Sequence, residues 1–96
     1  MRVGEFSAKF VAVRCEILAC ERIVFAAEVK GVFTRTPEGE LGILPHHAPA
    51  VFSLEDAPVR LKTKRGEMAF EVRHGIARVS PEGVLIFADV VEEVGA

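Results

Sequence analysis

Adjacent histidines, His46 and His47, are the one constellation in this 96-residue chain whose types and spacing invite a chemical role. Imidazole titrates near neutral pH and is the commonest metal-binding side chain. Consecutive residues of an extended chain point to opposite sides, so joint chelation of one ion by this pair is awkward. A third ligand would have to be His74 or an acid from elsewhere, whereas zinc sites announce themselves by ligand spacing. The expectation is therefore no metal. One histidine packs beneath the loop between Pro45 and Pro49, and the other faces solvent or a partner.

Other reactive groups offer less. Cys15 and Cys20 are the only cysteines, with no second cysteine pair and no secretory signal, so both are expected to be buried reduced thiols acting as small hydrophobes. Cys15 lies on the apolar parity of its strand, where a thiol is inert. A nucleophilic serine would have to be Ser7, Ser53 or Ser80. There is no G-x-S-x-G elbow, and Ser80 stands in a turn before Pro81. Neither the phosphate loop nor the dinucleotide glycine motif occurs. No catalytic residue and no cofactor are expected, which favours a binding or structural module over an enzyme.

Charge narrows the partners. Twelve basic residues against fourteen acidic ones leave a net charge of −2, the wrong balance for a nucleic-acid binder. Arg60, Lys62, Lys64 and Arg65 form a basic stripe, read as a solvated strand face partly neutralised by Glu67 and Glu71. Glu38 and Glu40 flank Gly39 on a turn, where two acids could meet a basic loop of a partner and orient it. No apolar run is long enough to span a bilayer, and no signal-peptide core opens the chain. The expected location is cytoplasmic, or peripheral to a membrane through another protein.

The elements that would position these residues are strands. Residues 1–96 read as one domain, with a core over about 8–89 and a short tail over 90–96. From Lys9, Val11, Val13, Cys15 and Ile17 alternate with Ala12, Arg14 and Glu16. After a turn at Cys20-Glu21-Arg22, Ile23, Phe25, Ala27, Val29 and Phe33 share one parity, interrupted at Gly31 as at a bulge or close backbone approach. Thr36-Pro37-Glu38-Gly39 is a turn, and Ala50–Leu54 is a short strand. Ser80-Pro81-Glu82-Gly83 is a second Pro/Gly turn, and Val84–Ala88 is apolar enough for a central strand. Eight or more strands without an amphipathic helix predict an all-β, antiparallel sandwich or barrel.

One hairpin can be predicted in detail. If Arg65-Gly66 is the turn, Leu61 lies opposite Phe70 and Val59 opposite Val72 on the dry face. Arg60 then meets Glu71, and Lys64 meets Glu67, on the wet face.

The stretch Glu38-Gly39-Glu40-Leu41-Gly42-Ile43-Leu44-Pro45, followed by His47-Ala48-Pro49, resembles the signature of the F-type ATP synthase epsilon subunit. The strand Phe10–Ile17, the run Ile23–Val29, Gly75-Ile76-Ala77 and Val84–Asp89 are similar to that family's other strands, in the same order. The resemblance implies a β-sandwich of about ten strands in two sheets. It also implies a non-catalytic central-stalk subunit of a proton-translocating rotary ATP synthase that binds the gamma subunit and rests on the membrane-embedded c-ring. By the same resemblance Glu38, Gly39, Glu40, His46 and His47 form the loop facing the c-ring, peripheral to the cytoplasmic face of the inner membrane. The chain departs from the pattern in having His46 and His74 where the family usually or often has glycine. The family commonly continues into a two-helix regulatory domain; this chain stops at Ala96 and is read as either a naturally short form or a fragment, with regulation by those helices not attributed to it. The alternative is a free-standing sandwich adaptor that binds a different protein.

Overall fold

Segments in which apolar and polar residues alternate become strands, because a period of two places one face of each against a core. The computed structural model of the protein describes residues 12–45 and 48–94. Within them run β1 (Val13–Ala19), β2 (Arg22–Val29), β3 (Gly31–Thr36), β4 (Gly39–Ile43) and β5 (Ala50–Ser53). Then follow β6 (Ala57–Thr63), β7 (Gly66–Arg73), β8 (Ile76–Ser80), β9 (Gly83–Ala88) and β10 (Val90–Glu93). Two five-stranded sheets result, ordered β2-β1-β9-β8-β5 and β10-β7-β6-β3-β4. The all-β sandwich is as the sequence predicts. One pairing departs from the antiparallel expectation: β1 and β9 run parallel, with Cys15 beside Val84 and Ile17 beside Ile86. Seven strands lie between these two in the chain, so the long crossover a parallel pair demands is available.

The sheets close on an aliphatic core. Ile17 and Ile86 of the first sheet and Val59, Leu61 and Val72 of the second have no exposed surface. Each such side chain stabilises the fold by roughly 1.5–3 kcal/mol relative to an exposed one. Phe25 of β2 and Phe70 of β7 bridge the sheets, their rings tilted at 58° with centroids 5.5 Å apart. Thr34 of β3 also faces inward, and its hydroxyl has no hydrogen-bond partner among the described residues. A buried unpaired hydroxyl carries a desolvation cost. Thr34→Val is therefore expected to raise unfolding stability by about 1 kcal/mol, read from the midpoint of a urea titration.

Three of the hairpins share one device. Thr36 pairs with Gly39, Thr63 with Gly66 and Ser80 with Gly83, each across a two-residue turn. The Thr36 and Thr63 hydroxyls donate to the carbonyls of Gly39 and Gly66, at 3.0 and 2.7 Å. They accept from the N–H groups of Glu38 and Arg65, at 3.2 and 3.1 Å. The Ser80 hydroxyl lies 3.5 Å from the Gly83 carbonyl and 3.0 Å from a carboxylate oxygen of Glu82. All three glycines have positive φ, between 126° and 141°, which L side chains resist. The recurring unit is thus a hydroxyl residue, two turn residues and a glycine.

That device corrects the predicted β6–β7 register. The turn is Lys64-Arg65, not Arg65-Gly66, because Gly66 takes the strand position opposite Thr63. Leu61 therefore lies opposite Met68, Val59 opposite Phe70 and Ala57 opposite Val72. The slip is two residues, so every side chain keeps its predicted face while its partner changes. Lys62, not Lys64, stands across from Glu67, and Pro58, not Arg60, across from Glu71.

Three further findings alter the outline. Ile17 pairs with Phe25 but Leu18 with Ile23, so Val24 is an extra residue in β2. This bulge reverses the parity beyond it and turns Ile23, predicted to share the inner face, outward to 59% exposure. At Lys30-Gly31 the chain passes from one sheet to the other, and a side chain at Gly31 would meet Leu44 and the Phe33 ring at 3.0 Å. Val90–Glu93, assigned to a tail from the sequence, instead forms β10, pairing with β7 from Val90–Arg73 to Glu93–Phe70.

Candidate functional site

The β3–β4 hairpin tip carries the acids singled out from the sequence. Pro37 and Glu38 are its two turn residues, and Gly39 begins β4 opposite Thr36. Its form follows from Pro37, which fixes φ, and from Gly39, whose φ of 132° suits a residue without Cβ. The Glu38 carboxylate curls back to 3.4 Å from the Thr36 hydroxyl. Glu40 faces Arg35 across the hairpin at 3.5 Å. Both members of that pair are well exposed, so the bond is worth at most about 1 kcal/mol and leaves the carboxylate free to change partner. The tip is a small exposed acidic knob on a two-stranded arm.

The rest of the signature builds β4 itself. Leu41 and Ile43 turn inward to the core, while Glu40, Gly42 and Leu44 are exposed. Gly42 lies under the ring of Phe33, where a Cβ would stand 3.1 Å from a ring carbon. β4 carries the chain away from the tip: Gly39 is beside Thr36, but Ile43 is beside Val32 at the other end of the hairpin. His46 and His47 lie outside the described residues. Pro45, just before them, lines a groove of about 390 Å³ with Val13, Arg14, Pro81 and Gly83. The described part of the connection that holds the histidines is therefore at the end of the sandwich opposite Glu38.

The remaining reactive groups are dispersed. Cys15 has no exposed surface, and its thiol is pushed up from 9.0 to about 12, first by burial and then by the Glu16 carboxylate, against the Arg14 guanidinium. Cys20, expected to be buried, is exposed instead. It occupies the β1–β2 turn with a φ of 57°, where the chain reverses at the surface. A thiol reagent at pH 8 is therefore expected to modify Cys20 alone in the folded protein and Cys15 only after denaturation, counted by mass spectrometry. His74, at the β7–β8 corner, also has a φ of 57°. Its N–H donates to Asp56 at 3.0 Å, and its Nδ1 lies 3.4 Å from the Asp89 carboxylate. A left-handed backbone there explains why glycine would suit the position. Among the described residues no three His, Cys, Asp or Glu side chains are grouped to hold a metal.

The two outer faces of the sandwich differ. That of the second sheet is charged, carrying Arg35, Arg60, Lys62, Glu67 and Glu71. That of the first sheet holds an apolar row, Ile23, Leu18, Phe87 and Ile76, each side by side with the next across β2, β1, β9 and β8. Sequence reading missed this row because the bulge at Val24 is what brings Ile23 into it. Among the described residues no helix is long and apolar enough to cross a membrane.

The family described as "ATP synthase, Delta/Epsilon chain, beta-sandwich domain" matches residues 12–94. The ATP synthase epsilon chain of Brevibacillus brevis is 37% identical over 81 residues, covering 83% of this chain and 61% of that relative. The epsilon chain of Dehalococcoides mccartyi is 37% identical over 79 residues, covering 82% and 56%. That of Mycobacterium sp. strain KMS is 40% identical over 79 residues, covering 80% and 65%. The matched region thus spans 56–65% of the length of these relatives. A chain in the cryo-EM structure of the Euglena gracilis mitochondrial ATP synthase (OSCP/F1/c-ring, rotational state 1) superposes with a TM-score of 0.79 at 19% identity, over 97% of this chain and 61% of that one. That likeness is one of fold, and the sequence matches carry the assignment: through its β-sandwich domain, the chain belongs to the ATP synthase delta/epsilon chain family.

Proposed function

We propose that the protein is a non-catalytic central-stalk subunit of a proton-translocating F-type ATP synthase, binding the gamma subunit and the c-ring and helping couple rotation to ATP synthesis. The observation that carries this reading is the signature from Glu38 to Pro45, whose first residues form an exposed acidic tip on a hairpin, in a chain of the delta/epsilon family. A rotor subunit needs a stiff body and a surface that recognises its neighbour, and carboxylates on a fixed arm supply orientation and association rate more than affinity. In this reading Glu38, Gly39 and Glu40 meet basic or polar loops of the c-ring. His46 and His47, which the resemblance places in the same contact, are reached only after β4 has left this tip, so the c-ring contact is proposed for Glu38, Gly39 and Glu40 alone. The subunit sits peripherally at the cytoplasmic face of the inner membrane, held there by its partners.

The test is a double charge reversal at the tip, Glu38→Lys with Glu40→Lys. Both side chains are exposed, so the fold is expected to survive. Binding to detergent-solubilised c-ring, with gamma present, is expected to weaken at least about tenfold while binding to gamma alone is unchanged. Undiminished binding to the c-ring would remove the tip from the interface.

A further inference from the structure

The apolar row on the first sheet's outer face has a self-complementary setting. Across β1, β9 and β8, Leu18 neighbours Phe87 and Phe87 neighbours Ile76. One row along the strands, Glu16 neighbours Leu85 and Leu85 neighbours Arg78. The central strand β9 thus carries Leu85 and Phe87, with an acid to one side and a base to the other at equal distance. Glu16 presently lies 3.5 Å from Arg14 on its own strand. On the β8 side the position beyond Arg78 is Ser80, bonded to Glu82 at 3.0 Å. Each side of β9 therefore carries a cation and an anion in opposite order along the strands, with Glu28 of β2 a second acid beside Arg14.

We propose that this face is covered in the free chain by a second copy of itself, around a two-fold axis lying in the interface along β9. Rotation about that axis exchanges the β1 side of one copy for the β8 side of the other. Phe87 meets Phe87 and Leu85 meets Leu85 on the axis. Leu18 meets Ile76, Glu16 meets Arg78, and Arg14 meets the Ser80–Glu82 pair, each contact occurring twice. Two sheets stack face to face about 10 Å apart at a small angle, which keeps these near-axis pairs within reach. Had both flanks of β9 carried the same order of charge, like would meet like and the face would repel its copy. The opposite outer face is rich in both charges and exposes large apolar side chains, such as Leu44 and Val90, only at its two edges, so it offers no such arrangement. Five strands give a footprint only about 20 Å wide, below the size of a permanent interface, so the dimer is weak and concentration-dependent.

Sedimentation equilibrium of the chain alone, from a few micromolar to about 1 mM, tests this directly. A reversible monomer–dimer equilibrium is expected. Phe87→Glu places two carboxylates on the axis and is expected to leave only monomer; Phe87 is 40% exposed, and circular dichroism checks that the variant remains folded. Glu16→Arg and Arg78→Glu are each expected to weaken association at least about tenfold, and the combined exchange to restore it. Only a face opposed to its own copy makes that restoration possible. A chain monomeric throughout the range, or a double exchange as weak as the single ones, would overturn the proposal. So would a monomeric chain whose Phe87→Glu variant loses the gamma subunit, an outcome that assigns the face to gamma and leaves the stalk reading standing.

Discussion

Gly83→Ala is expected to cost more than about 4 kcal/mol of stability, at the extreme for a single surface-turn substitution. Its φ is 141°, a conformation that glycine alone adopts readily. A Cβ there would also stand 2.3 Å from the carbonyl oxygen of Arg14 and 2.9 Å from the Arg14 Cβ. Backbone cannot swing aside as a flexible side chain would, so β1 and β9 must separate where their parallel pairing begins. Gly66 supplies the control. It has a similar φ of 126° and nothing within 4 Å of where a methyl group would stand, so Gly66→Ala is expected to cost only the backbone strain, about 1–3 kcal/mol. Urea unfolding of both variants separates the two contributions. Equal losses would mean that the β1–β9 junction is looser than these distances require.

Ile17→Ala and Ile86→Ala are each expected to cost about 3–4 kcal/mol by opening a cavity in the centre of the sandwich. The two residues are neighbours across the parallel β1–β9 pair, and neither has exposed surface. Because the two truncations open one shared cavity, the double variant should fall short of the sum by about 0.5–3 kcal/mol. A domain of this size is stable by only about 5–15 kcal/mol, so the double variant is best measured near the temperature of maximum stability. Strict additivity would show that the side chains do not share a void.

The sequence made the parity of most strands plain, because burial on one face imposes a period that few residues violate. Val13, Cys15 and Ile17 are buried as their alternation predicts, and the apolar run Val84–Ala88 is the middle strand of its sheet. What escaped was geometry that changes the count without changing the composition. One extra residue, Val24, reverses Ile23, and nothing in the run Ile23-Val24-Phe25-Ala26-Ala27 marks it. The β6–β7 register, by contrast, does have a signal in the sequence. Thr63-Lys64-Arg65-Gly66 repeats the spacing of Thr36-Pro37-Glu38-Gly39 and Ser80-Pro81-Glu82-Gly83, but without proline it does not look like the same turn. The hydroxyl and the glycine, not the proline, are common to all three.

The acidic site was legible in residue identity but not in layout. Glu38, Gly39 and Glu40 sit together at one tip, as their proximity in sequence requires. Reading the signature as one continuous loop overlooks the five residues of β4, which carry the chain from that tip to the far end of the hairpin before His46 is reached. Leu41 and Ile43 make the difference, since their inward alternation turns the middle of the motif into a strand. The motif therefore combines an exposed acidic tip with a structural strand, and under the proposed function substitutions along it should divide accordingly: Glu38 and Glu40 in binding, Leu41 and Ile43 in stability.

Size-exclusion chromatography of the chain with the gamma subunit and the c-ring from the same source tests the central claim most directly. The stalk reading requires co-elution with gamma at micromolar concentration. It further requires that substitution of Glu38 or Glu40 weaken the assembly only when the c-ring is present. A chain that elutes alone beside intact gamma would contradict the stalk role, leaving a β-sandwich of the same fold that serves a different partner.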